Sequence, residues 1–229
     1  MPALDRELVA ALRGLDSCTV SNVIETFGVR LRNEGFARAD VRCLFEHLPP
    51  TVGYAVTARI RSSTPPPVGH AYYDRTDWWN HILSVPEPRI VVAQDVDEQP
   101  GLGAFIGGVH ANVLRALGCV AYVTNGAVRD LPAVEAIGFQ MFAGSVSVSH
   151  AFVHLLDFGE PVEVAGLRVS PGDILHGDRH GLVSVPEPIA ADIPRVAADI
   201  LTHDRRVIEF CRSSEFSLER LRALVKELG

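Results

Sequence analysis

Two short clusters in the 229-residue chain have the residue types and spacing to do chemistry. The first is Gly107–Gly108, at the end of a glycine-rich stretch, GLGAFIGG, that follows Asp95. The second is Arg129–Asp130, at the end of NGAVRD. A helix that starts after two glycines offers backbone N–H groups to an anion, and the glycines let the anion come close. A carboxylate such as Asp130 suits a hard divalent cation. A guanidinium such as Arg129 stabilises an oxyanion. The plainer reading of Arg129–Asp130 is a surface pair closing a turn. A dinucleotide fingerprint is set aside, because Gly101, Gly103, Gly107 and Gly108 do not fit G-x-G-x-x-G and position 106 is Ile.

Other candidates carry less. His150 and His154 are four apart, as are His176 and His180, a zinc-like spacing when both lie on one helical face. SVSVSH alternates like a strand, however, and HGDRHG holds two glycines. Ser145, Ser147 and Ser149 read as a strand's solvent face, with no G-x-S-x-G elbow. Asp178 reads as a hydrogen-bonding residue of a turn. Trp78 and Trp79 read as packing residues. Residues 69–88, with His70, Tyr72, Tyr73, Asp74, Asp77 and His81, read as an irregular excursion or lid.

The elements that must position the two clusters follow from hydrophobic period and stop signals. Helices are expected over 4–14 and over 19–27, the second capped by Ser17 or Thr19. Strands are expected over 53–61 and 89–95. A helix over 105–117 places Ile106, Val109, Val113, Leu114 and Leu117 on one face and stops at Gly118. A strand over 119–124 then leads into the NGAVRD loop. Strands over 139–148, 161–169 and 182–185, with an SPGD turn joining the last two, precede helices over 189–210 and 217–227. Strands and helices alternate with no shift in composition, so one α/β domain over 1–229 is expected. Arg129–Asp130 then lies beyond a strand's carboxyl end, where open α/β sheets bind ligands.

Composition narrows the function classes. The chain is 47% apolar and 21% charged, ordinary globular values. Net charge is −7 with scattered Lys and Arg, which argues against nucleic acid as a partner. Cys18, Cys43, Cys119 and Cys211 form no C-x-x-C pair and read as reduced thiols. Neither a signal-peptide core nor a membrane-length apolar run is present in the sequence, so a cytoplasmic, membrane-free protein is expected.

The run from Gly107 through Gly118 to GAVRD resembles the superfamily of the regulator of ribonuclease activity A and the class II 4-hydroxy-4-methyl-2-oxoglutarate aldolases. SCTVSNVIETFG and PVEVAGLRVSPGDILHGDRHGLVSVP resemble two further motifs of that family. The resemblance implies a β/β/α sandwich of the swivelling type with flanking N- and C-terminal helices, in a homotrimer or homohexamer with sites between subunits. For the aldolase branch it implies Mg2+ or Mn2+ and a small 2-oxo acid or other small carboxylate. Aldol cleavage, or decarboxylation of oxaloacetate, would proceed through a pyruvate enolate. Asp130 would be the metal ligand, and Arg129 would hold the keto or enolate oxygen. The backbone of Gly107, Gly108, Val109 and His110 would hold the substrate carboxylate. One departure stands out. The aldolases carry an acid twenty-one positions before the Arg, and that position is Gly108 here. Asn22 also replaces a common Asp. His110, beside Asn112, is a candidate base in place of the lost acid, or simply a polar residue at a helix start. Asp204 or Glu209 is a candidate to reach a neighbouring subunit's metal. The alternative function is a non-catalytic oligomeric regulator or binding protein.

Overall fold

A computed structural model describes residues 4–68 and 75–228. Helices α1 (Arg6–Arg13) and α2 (Ser17–Phe27) come first. Asp16, not Ser17 or Thr19, caps α2: its carboxylate accepts the Thr19 N–H at 2.7 Å. Then follow β1 (Arg42–Cys43), β2 (Thr51–Arg61), α3 (Thr76–Ser84), β3 (Arg89–Asp95), β4 (Ala104–Ile106), α4 (Gly108–Ala116), β5 (Cys119–Val128), α5 (Leu131–Ala136) and β6 (Gln140–Val146). The chain continues through β7 (His154–Phe158), β8 (Val162–Val164), β9 (Leu167–Val169), β10 (Ile174–Asp178) and β11 (Gly181–Val185). A 3-10 turn, Glu187–Asp192, leads into α6 (Ile193–Arg212) and α7 (Leu218–Leu228).

Among the described residues nine strands form one mixed sheet in the order β1-β6-β5-β3-β2-β10-β11, with β4 added to β5 and β7 to β2. Strands β2, β3, β5 and β6 run parallel. Their nearly unbroken apolar runs, such as IVVA in β3, are what a sheet covered on both faces requires. The helices cover one face through a core that includes Leu12, Val23, Trp78, Leu114 and Ile193. The β8–β9 hairpin covers the other: Val162, Val164, Leu167 and Val169 pack against Ala55, Ile90, Val92 and Val123. Each such fully buried side chain contributes about 1.5–3 kcal/mol. The layering is β/β/α, as the resemblance implied.

Several expectations are corrected. The helix expected from 105 begins at Gly108. Ala104–Ile106 instead extends the sheet, since Ile106 is better buried beside Val128 than on a helix. Val109 is accordingly 69% exposed, and the buried face of α4 is His110, Ala111 and Leu114. The NGAV segment is not a loop, because β5 runs on to Val128. The Asn125 side chain makes this possible: it accepts the Asp95 N–H at 2.8 Å and donates to the Asp95 carbonyl at 2.9 Å, imitating a backbone partner. Residues 161–169 form a hairpin, not one strand, and β1, β7, β10 and α5 were not anticipated. The 69–88 region is partly ordered as α3, with Trp78 fully buried against His81 and Phe158. His70, Tyr72, Tyr73 and Asp74 lie outside the described residues.

Candidate functional site

Parallel pairing of β4 with β5 brings the two clusters together. Ile106 pairs with Val128, and the Arg129 N–H donates to the Ile106 carbonyl at 3.1 Å. Gly107–Gly108 and Arg129–Asp130 therefore leave adjacent strands side by side, at the carboxyl edge of the sheet. Asp130 takes the left-handed conformation, φ 56° and ψ 38°, and its carbonyl then accepts the Ala133 N–H to start α5. Its Oδ2 accepts the Gly108 N–H at 3.0 Å, at the start of α4, and lies 3.5 Å from Arg129 Nε. A carboxylate at that helix end is favoured by the exposed N–H groups.

The glycines are not equivalent. A Cβ at Gly107 would stand 2.5 Å from Asp130 Oδ2 and 3.1 Å from Arg129 Nε, so any side chain there displaces the Asp130 carboxylate. A Cβ at Gly108 meets nothing nearer than the Ala133 methyl at 3.3 Å. Position 107 therefore needs glycine to keep Asp130 and Arg129 in place, whereas a small side chain at 108 requires Ala133 to give by only a few tenths of an ångström.

A cavity of about 440 Å3 opens on this cluster. Arg129, Asp130, His110, His150 and Gly107 line it together with the apolar Phe105, Val109 and Val153. His110 is only 6% exposed, packed edge-on against Phe105. Its Nδ1 lies 3.0 Å from the Phe105 carbonyl; a carbonyl only accepts, so Nδ1 carries the proton. Burial pulls its pKa down to about 4, only partly opposed by that carbonyl, so the ring is neutral near pH 7. Asn112 donates to the Gly108 carbonyl at 2.8 Å, tying the first turn of α4.

The other candidates fall elsewhere. His154 is buried, with Nδ1 2.8 Å from the Phe152 carbonyl, while His150 faces the cavity. His176 is buried, its Nε2 3.1 Å from the carbonyls of both Leu12 and Leu15. Asp178 accepts from Ser17 N at 2.8 Å, Ser17 Oγ at 2.5 Å and His180 N at 2.8 Å, which makes it a tie between β10 and α2. Among the described residues no three His, Cys, Asp or Glu side chains converge. Ser147 Oγ donates to the Leu102 carbonyl at 3.2 Å, tying the loop after β6. Asn22 is exposed on α2, and Asp204 and Glu209 are exposed on α6. No described helix is long and apolar enough to cross a membrane. Sequence reasoning weighed His150 only as half of a zinc pair; its place beside Arg129 depends on loop geometry that no residue spacing reveals.

Comparison with known proteins places the chain in a family. A family profile described as "RraA-like: Aldolase/RraA" matches residues 17–184. An uncharacterised protein of Methanocaldococcus jannaschii is 28% identical over 136 residues, 58% of this chain and 65% of its own length. A protein of Halalkalibacterium halodurans named "Putative 4-hydroxy-4-methyl-2-oxoglutarate aldolase" is 27% identical over 85 residues, 37% of this chain and 40% of its own length. The chain thus spans less than two thirds of either relative. The crystal structure of Streptomyces coelicolor RraAS2, titled an unusual member of the RNase ES inhibitor RraA protein family, superposes with a TM-score of 0.69 at 21% identity, covering 90% of this chain and 97% of that one. That likeness shows the fold. With the profile covering most of the chain, the protein belongs to the aldolase/RraA family.

Proposed function

We propose that this protein is a carbon–carbon lyase acting on a small 2-oxo acid, with the Arg129–Asp130 pocket as its active site. The observation that carries the reading is the convergence of a guanidinium, a carboxylate and the start of α4 on one cavity. Arg129 would bind the oxo oxygen and stabilise the charge that grows there as the C–C bond breaks. Gly107, Gly108, Val109 and His110 would receive the substrate carboxylate at the first turn of α4, where helix geometry leaves amides without intrahelical acceptors. The Gly108 amide is already given to Asp130, so the substrate would rely on its neighbours. His110, neutral with its proton on Nδ1, would be the candidate proton acceptor, and a weak base because the ring, Nε2 included, is buried.

A divalent cation fits this donor set in one form. With no three-residue cage among the described residues, Asp130 is a single carboxylate, 43% exposed. That suits Mg2+ or Mn2+, which keep several waters and are completed by a chelating substrate. Such an ion would act as a Lewis acid on the oxo acid. Helices α6 and α7 and the turn between them leave Ile208, Phe216, Leu218 and Val225 exposed, an apolar surface compatible with the homotrimer or homohexamer that the family resemblance implies.

Gly108 favours one second reading, a non-catalytic oligomeric regulator or binding protein on the same fold, because no acid stands beside Asp130 at that position. The test is pyruvate release from 4-hydroxy-4-methyl-2-oxoglutarate and from oxaloacetate, with Mg2+ or Mn2+ and with chelator. Metal-dependent release that is absent in Asp130→Asn supports the lyase. Background rates on both substrates favour the second reading, and Gly108→Asp then tests whether the missing acid is the cause.

A further inference from the structure

We propose that His150 is a ligand-binding residue of this pocket, offering its Nε2–H to a negatively charged oxygen of the bound small carboxylate. The residue is argued from geometry; the identity of the ligand rests on the 2-oxo acid reading above. His150 Nδ1 lies 3.4 Å from an Nη of Arg129. A guanidinium only donates, so Nδ1 accepts and the ring proton is on Nε2. The ring is exposed and lines the cavity, so Nε2–H is the donor it holds for a ligand. His110 carries its proton on the other nitrogen. The two imidazoles at this pocket thus hold opposite tautomers, and of the two it is His150 that is exposed to a ligand.

The loop bearing His150 is tied on three sides. Ala104 N–H donates to the Ser149 carbonyl at 2.9 Å, Ser147 Oγ to Leu102, and Phe152 N–H to the Ser62 carbonyl at 3.1 Å. A Cβ at Gly103 would stand 2.1 Å from the His150 carbonyl, so the loop backbone closes directly onto the β4 segment. Ala151 is held at φ 47°, a conformation that costs an alanine about 1–2 kcal/mol. Among the described residues three non-glycines have positive φ: Ala165, in the β8–β9 turn, and Asp130 and Ala151. The last two directly follow the contacting residues Arg129 and His150. Strain kept where two chain segments aim side chains into one cavity is the pattern of a built site. Phe105, Val109 and Val153 form the apolar wall beyond the donors.

The test uses the full chain and oxalate, a planar carboxylate probe, with Mg2+. Imidazole 15N–1H correlation spectra above the ordinary histidine range, assigned with His150→Gln, are expected to show His150 as Nε2–H, with that resonance moving on addition of oxalate. Calorimetry is expected to show oxalate binding about tenfold weaker in His150→Ala and partly restored in His150→Gln, whose amide also donates. An Nδ1–H tautomer, equal affinity in His150→Ala, or no oxalate binding by the wild type overturns the assignment. A wild type that binds oxalate with these signatures yet turns over no 2-oxo acid removes the lyase reading and leaves His150 in place.

Discussion

Two aspartates sit at two helix starts, and they are built differently. Asp178, 5% exposed, accepts four hydrogen bonds: from the first amide of α2, the Ser17 hydroxyl, the His180 amide and His180 Nδ1. Burial pushes its carboxyl up, and the bonds from Ser17 and His180 more than reverse this, holding it below the usual carboxylate range. Asp130 accepts one amide, that of Gly108, beside a guanidinium whose Nε is buried without a hydrogen bond. It is half-exposed, faces a cavity and has a left-handed backbone. The saturated carboxylate holds the fold together. The undersaturated one keeps capacity for a ligand at some conformational cost.

The sharpest way to break this contrast is to neutralise each carboxylate in turn. Asp130→Asn is expected to lower turnover of the 2-oxo acid about a thousandfold while changing stability by less than about 1 kcal/mol. Steady-state rates and urea titrations check both halves. Asp178→Asn is expected to do the reverse, costing about 2–3 kcal/mol of stability because buried donors lose a charged acceptor. The two glycines sharpen the same point at smaller scale. Gly107→Ala is expected to weaken oxalate binding about tenfold by displacing Asp130 and Arg129, and Gly108→Ala to leave it within about twofold, read by calorimetry.

The smallest effect expected is on pH dependence. The His110 pKa falls from 6.5 unfolded to about 4 folded, chiefly by burial. Between those values the unfolded chain binds the extra proton, so the stability is fully present above 6.5 and is lost as pH falls toward 4. The slope is at most about 1.4 kcal/mol per pH unit. Urea midpoints across that window should fall less steeply in His110→Gln. Some slope should persist, because burial pulls His176 down as well.

Periodicity made much of the sheet legible. The expected strand over 89–95 matches β3, and helices α1, α2, α6 and α7 fall within a few residues of their expected positions. The misses share a cause: tertiary partners that local pattern does not encode. Asn125 carries β5 through a segment that looks like a loop, because its side chain bonds Asp95 across the sheet. Ile106 joins a strand because β5 lies beside it. In the site, the pairing of Gly107–Gly108 with Arg129–Asp130 was readable from the strand–helix–strand order. His150 was not, since it arrives through a loop whose path is fixed by contacts with Leu102, Ala104 and Ser62. His110 was readable as a residue but not as a buried one, because the buried face of α4 turned once the helix began at Gly108.

The central claim, that Asp130 is the carboxylate left poised for a ligand, is tested most directly by Mn2+ binding. Electron paramagnetic resonance would count bound Mn2+ in the presence of oxalate for the wild type and for Asp130→Asn. One Mn2+ per chain in the wild type and loss of that binding in the variant is the predicted result. Equal binding by both proteins, or none by the wild type, would contradict it.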